Sequence, residues 1–282
     1  MIHRSMARRK MINRLVQALS AAAALAGLFV LAWVLIVVVQ RGSAAISWDF
    51  FFHRVAPAGV EGGGIANALA GSAILVGLAI LFGVPIGLLA GVYLAEFGKH
   101  SRLGAVVRFS TNVLMGIPSI IVGLFVYTLL VLPTGHFSAW AGAVALAILM
   151  LPVIARTTED MLELVPNALR ESAMALGAPR WKVTLGIVFR AAKTGLLTGM
   201  LLAVARISGE TAPLLFTCMN SDYWPTSLNA PTANLTVTIF TRAMSPYADW
   251  QRLAWGAALI ITLSVLALNI SARLMLRGKS HV

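Results

Sequence analysis

Long apolar runs alternate with short charged connections along this chain. Six runs approach or exceed the roughly 20 residues that a helix needs to cross a hydrocarbon core. They are Leu19–Val39, Ala68–Ala95, Thr111–Leu132, Ala139–Ile154, Gly195–Thr217 and Leu253–Leu274. The pattern predicts an all-α, polytopic membrane protein with six transmembrane helices. In the second run, Gly71, Gly77, Gly83, Gly87 and Gly91 predict close helix packing, and Pro85 predicts a kink. The connection over 156–193 is too long for a simple helix hairpin. Within it, Pro166-Asn167 predicts a helix start, with Asn167 as cap and Glu171 in the first turn. Gly177 predicts a left-handed stop, and Pro179 prevents continuation. A second helix from Arg180 then leads into the fifth run.

Composition supports the membrane reading. Hydrophobic residues make up 59% and charged residues 11%, against about 25% charged in a soluble domain. A net charge of +12 would suit nucleic acid, but the placement of the charges excludes that partner. Of the 22 Lys and Arg, 17 lie on one side of the predicted membrane. They form the groups Arg4–Arg14, Lys99–Arg108, Arg156–Lys193 and Arg273–Lys279. Such an excess marks the cytoplasmic face, and it places both termini there. The basic start and Ala-rich stretch of the first run resemble a signal peptide. The apolar stretch exceeds the usual signal core, so an uncleaved anchor is expected. A single cysteine, Cys218, excludes an intrachain disulfide, and the five histidines show no metal-ligand spacing. Gly278-Lys279-Ser280 spells the end of a phosphate-binding loop, yet Arg273 stands where its first glycine belongs. ATP hydrolysis is therefore expected in another polypeptide, with no cofactor bound by this chain.

Arg206 and Glu210 fall inside the fifth run, four residues apart. A charge at the bilayer centre costs roughly 2.5–3.5 kcal/mol by insertion scales, and such groups are kept where protein or water shelters them. At i,i+4 the two are expected on one helix face. One reading is a structural ion pair within the helix or between subunits. The other is the lining of a path for a polar solute, with Ser208, Gly209 and Thr211 adding polar contacts or a flexible point. The helix–turn–helix at 166–193 also has two readings: an amphipathic element lying on lipid headgroups, or a docking element whose small residues Ser172, Ala173, Ala175 and Ala178 admit a close partner. The external stretches Arg41–Gly64 and Met219–Trp250 are either surface connections or contacts for a delivering protein. Tyr127, Trp140, Trp250 and Trp255 lie near run ends, where they serve as interface anchors.

Glu171-Ser172-Ala173, followed by Gly177 and Ile187, resembles the EAA loop of the permease subunits of binding-protein-dependent ABC importers. Two departures stand out: Ser172 replaces an alanine, and Phe189-Arg190 replaces a Leu-Pro. Longer strings extend the likeness. Glu61-Gly-Gly-Gly64 with IANALAGS, IPSIIVGLFVYT, RTTEDMLELVP, ALGAPRWKV and ARISGETAPLLFT resemble the A-type inner-membrane permeases of phosphate-specific importers. The resemblance implies a type I ABC importer permease fold in a bacterial inner membrane, importing inorganic phosphate. It implies a core over 67–274 with a cytoplasmic coupling loop over 156–193. Residues 1–66 would hold the tail, first helix and external loop, and 275–282 a second cytoplasmic tail. The implied partners are a second homologous permease, a cytoplasmic ATPase dimer that uses ATP, and a periplasmic phosphate-binding protein. Glu171, Ser172, Ala173 and Gly177 would then face the ATPase.

On that resemblance the Arg206 guanidinium, a planar fork of donors, suits a tetrahedral oxyanion. Glu210 would neutralise it when the path is empty and accept a hydrogen bond from the P–OH of phosphate, which sulfate lacks. Import of another oxyanion, sulfate or molybdate, is the alternative within the class. An ion-coupled carrier outside the ABC class is the other alternative; such carriers usually need more intramembrane carboxylates or histidines than Glu210 alone. A non-transporting sensor subunit also remains open on sequence.

Overall fold

The structure, a computed structural model, describes residues 2–60 and 62–277. Glu61 of the glycine string and Gly278-Lys279-Ser280 lie outside the described residues. Every regular element among the described residues is helical. In chain order they are α1 (Ile2–Ser43), α2 (Trp48–Phe52), α3 (Ala66–Val92), α4 (Arg102–Gly116), α5 (Ser119–Val126), α6 (Leu132–Thr134), α7 (Ala139–Glu163), α8 (Asn167–Ala175), α9 (Arg180–Val183), α10 (Phe189–Ser208), α11 (Ala212–Thr217), α12 (Leu235–Ala243) and α13 (Ala248–Arg277). Three π-helical turns extend the ends of helices: Tyr93–Phe97 after α3, Tyr127–Val131 between α5 and α6, and Thr184–Val188 between α9 and α10.

The most extensive helix pair is α3 with α7. Glycines explain it. A methyl group at Gly83 would sit 3.2 Å from the Met150 sulfur, one at Gly87 2.8 Å from Ile154 Cβ, and one at Gly91 2.5 Å from the Ala155 carbonyl oxygen. Spaced four apart, these residues form a stripe that lets the two backbones approach. α7 is the most enclosed long helix and passes through the main core, with Leu146, Met150 and Ile154 fully buried. At the other extreme, α1 is exposed along its whole apolar stretch. It packs on α13 at its outer end, where Gly42 lies against Trp255 and Leu259.

Two of the six predicted spans are not single helices. The third breaks after Gly116, where α4 meets the α5–α6 segment at 106°. Pro118 disfavours a helical preceding residue, and Ile117 is extended at φ −75°, ψ 130°. Counting this bent pair as one crossing gives six spans; otherwise five helices are long and apolar enough. The fifth predicted span, Gly195–Thr217, breaks between Ser208 and Ala212. Pro213 has no N–H to offer and its ring would clash with the carbonyl four residues back, that of Gly209, so the helix stops there. The fourth, expected to end at Ile154, runs on to Glu163 through about two and a half further turns that carry charged side chains. Pro85 and Pro152, by contrast, lie inside helices that continue through them.

Candidate functional site

Arg206 occupies the last turn of α10. α10 runs antiparallel to α7: Gly195 abuts Met161, and Gly199 abuts Thr157. Seven residues further along α10, about 10 Å, this register brings Arg206 level with Met150, at the centre of α7 (Ala139–Glu163). Arg206 is therefore level with the middle of α7 and lies within the length of the bundle. It is exposed at the surface of the chain, and among the described residues it forms no ion pair. A cation in the last turn of a helix also complements the negative end of the macrodipole.

The expected i,i+4 pair with Glu210 is overturned. Glu210 lies in the break, so it does not share a helix face with Arg206, and no ion pair joins them. Its backbone holds the broken segment in place. The N–H of Glu210 donates to Ile207 O at 3.2 Å, and its carbonyl accepts from Thr236 Oγ1 at 2.8 Å. The carboxylate is half-exposed. Ser208 Oγ donates back to Val204 O at 2.8 Å, so its proton is used within α10. Thr211, half-exposed, caps α11 through its carbonyl, which accepts from Leu214 N and Leu215 N. Arg206, Ser208, Glu210 and Thr211 thus line one break rather than one helical face.

The second candidate region is the helix–turn–helix of α8 and α9. Gly177 has φ +83° and ends α8 in the left-handed conformation, as its position predicts. Asn167 does not cap: it is the first residue of α8, and its Oδ1 accepts from Arg170 Nη1 at 3.3 Å. Glu171, Ser172 and Gly177 are exposed. Ala173 is not available to a partner. It is buried against Leu162, Val165, Val183 and Val188, because α8 must seat one face on its own chain. The outer face presents Leu169, Ser172 and Leu176, with spacings of three and four. Leu176 is 89% exposed, and Leu164 and Trp181 lie nearby and exposed. Sequence reasoning centred on small residues and missed these leucines. Their signal was present as large apolar side chains in a hairpin otherwise rich in charge.

At the end of the bundle away from α8 and α9, the stretch after Cys218 is tied down by buried polar groups. Asn67 Nδ2 donates to Ser221 O at 3.3 Å, and Asn234 caps α12 through Val237 N at 2.9 Å. Arg242, buried, pairs with Asp222 and lies 3.6 Å from the centre of the Trp250 ring. An open cavity of about 430 Å³, lined by Asn220, Asp222, Tyr223 and Trp224 among others, faces outward here. Trp250 Nε1 donates to Ala56 O at 3.0 Å, so this tryptophan fastens the stretch after α2 to the start of α13.

With this geometry in place, comparison with known proteins gives three results. Residues 83–278 match the family described as binding-protein-dependent transport system inner membrane component. The phosphate transport system permease protein PstA of Yersinia pestis is 51% identical over 97% of this chain and 92% of that one. The protein of the same name from Haemophilus influenzae is 52% identical over 96% of each chain, and PstA 1 of Mycobacterium tuberculosis (strain H37Rv) is 39% identical over 87% of this chain and 81% of that one. Among solved structures, a chain of the inward-facing MetNI methionine ABC transporter aligns with a TM-score of 0.59 at 18% identity, over 75% of this chain and 92% of that one. A chain of an amino acid ABC transporter aligns with a TM-score of 0.56 at 18% identity, over 76% and 92%. At this identity the likeness speaks for the fold alone, which is that of type I ABC importer permeases.

Proposed function

The chain belongs to the family of binding-protein-dependent transport system inner membrane components, and we propose from that premise that it is the permease subunit of an ATP-driven importer of inorganic phosphate. The observation that carries the substrate is the near-complete coverage, at 51% and 52% identity, of two phosphate-system permeases. Membership in an ABC importer family brings an ATPase and a substrate-binding protein as partners. A second homologous permease is the further partner we infer. Arg206 supports it: an exposed guanidinium level with the middle of a membrane-spanning helix needs shelter from lipid, and a twofold-related subunit supplies both the shelter and the other wall of a path. Hydrolysis of ATP then resides in the partner ATPase, and this chain moves without making or breaking bonds.

Arg206 attracts the anion and donates to its oxygens. Glu210, without an ion-pair partner among the described residues, accepts from a P–OH group. That bond is available to hydrogen phosphate and not to sulfate, so it favours one oxyanion over the other. Ser208 offers its oxygen and Thr211 its hydroxyl on the same break. On the inside, the Leu169–Ser172–Leu176 face with Glu171 docks the ATPase. The excess of Lys and Arg at one side, together with six crossings, supports cytoplasmic termini in a bacterial inner membrane.

The test uses the complete importer in proteoliposomes with radiolabelled phosphate. Arg206→Gln is expected to lower ATP-driven phosphate import about tenfold or more, one bidentate charged contact being worth at least that, while assembly is unchanged. Glu210→Gln is expected to narrow the preference for phosphate over sulfate. Wild-type import by Arg206→Gln would remove the guanidinium from the path, and an unchanged preference would remove Glu210 from selection.

A further inference from the structure

Arg170 lies on the inner face of the coupling helix α8, beside Ala173. Its guanidinium is almost fully enclosed, at 14% exposure, and so is the Glu96 carboxylate it meets, at 10%. Every arm of the fork is used. Nη2 donates to Glu96 Oε1 at 2.7 Å and to Leu162 O at 2.7 Å. Nε donates to Glu96 Oε1 at 3.1 Å, and Nη1 to Val165 O at 2.5 Å. One side chain therefore holds three elements: α8, the end of α7, and the π-helical turn that finishes α3. The backbone links α8 to α7 on one side and, through α9, to α10 on the other, whereas α3 is remote in sequence. The Arg170–Glu96 pair spans 74 residues and is the charged link from α8 to α3 among the described residues. Glu96 itself sits in a π turn, an irregularity that in other helices often accompanies functional sites.

Resting on the reading of this chain as a phosphate-importer permease with α8 as its ATPase contact, we propose that Arg170 is a positioning residue that makes α3 and α7 move with the coupling helix as one unit. A displacement of the Leu169–Leu176 face by the ATPase reaches α10 through the chain itself. Through Arg170 it reaches α3 and α7 simultaneously, and the glycine stripe between those two carries it to the depth of Met150 and Arg206. Without the clamp, α8 can shift while α3 stays behind, and hydrolysis no longer commits the bundle to a change of access. A lysine replaces this function only in part, because a point ammonium lacks the planar fork that spans Glu96 and the two α7-end carbonyls together.

The experiment measures phosphate imported per ATP hydrolysed by the complete importer in proteoliposomes, for wild type, Arg170→Lys, Arg170→Gln, Glu96→Gln and the double variant Arg170→Gln/Glu96→Gln. The ratio is expected to fall by about fivefold or more in Arg170→Gln, the lower end of typical couplings between sites, with ATPase activity retained. Arg170→Lys should fall between Arg170→Gln and wild type. The double variant should lose no more than Arg170→Gln alone, since the two side chains act through one contact. If Arg170→Gln fails to assemble, Glu96→Gln carries the test, because it leaves Arg170 bound to Leu162 O and Val165 O. Ratios within twofold of wild type in Glu96→Gln, or independent losses that multiply in the double variant, would overturn the clamp. The wild-type arm separates this from the substrate reading. Import of sulfate or molybdate in place of phosphate would refute phosphate as substrate, and the ratio would then be scored on the imported anion.

Discussion

Replacing Glu159 with glutamine tests whether charge holds the α8 end of the bundle together. Glu159 projects from α7 with its side chain only 4% exposed. Arg108 of α4 donates from Nε to Oε1 at 2.5 Å, and Arg156 Nη1 lies 3.4 Å from Oε2. Arg108 also donates from Nη2 to Leu94 O at 2.9 Å, so one arginine joins α4, α7 and the turn after α3. Removing one member of a fully buried pair costs about 3–5 kcal/mol. Two features reduce that here. The Arg108 side chain is 26% exposed and can partly rehydrate, and glutamine keeps an acceptor for it. The expected loss is about 2 kcal/mol, or a fall in Tm of about 5 °C for a chain of this size. The comparison variant is Asp160→Asn. Its ion pair with Arg156 at 3.3 Å has side chains 44% and 45% exposed, and an exposed pair contributes about 0–1 kcal/mol. Thermal unfolding of the detergent-purified complex, followed by tryptophan fluorescence, measures both. Equal shifts for the two variants would refute the argument, because burial is the property that separates the two carboxylates.

Two further outcomes are expected. Gly71→Ala should destabilise the fold by about 2 kcal/mol, since the new methyl would lie 1.8 Å from the Ala233 carbonyl oxygen, while Gly77→Ala, inside α3 with no atom within 4 Å, should leave Tm unlowered or slightly raised. Leu176→Asp should abolish co-purification of the ATPase without lowering the thermal stability of the permease, because the side chain is 89% exposed and touches little of its own chain; retained co-purification would remove this leucine from the docking face.

The apolar runs, the side on which the basic residues gather, the helix stop at Gly177 and the family of the chain were all legible in the amino-acid sequence. Each of these follows from properties a residue carries wherever it is placed: transfer free energy, charge, backbone freedom, or an ordered string. The helix breaks were not legible, although their prolines were in plain view. Pro85 and Pro152 sit inside helices that run on, while Pro118 and Pro213 stand at the two interruptions. A proline at membrane depth frees a carbonyl, and neighbouring helices, side chains or water decide whether that group is satisfied within a continuous helix. Around Glu210 the structure answers with Thr236, a hydroxyl from α12 that lies 26 residues away. That long-range bond helps seat the interruption that separates Glu210 from Arg206. Packing likewise decided that Ala173 turns inward and Leu176 outward, and that Arg170 finds a carboxylate 74 residues earlier in the chain. The order of residues determines which segments enter the membrane. Which polar groups are left facing a solute, and which are used to hold helices together, depends on partners that meet only when the chain is packed.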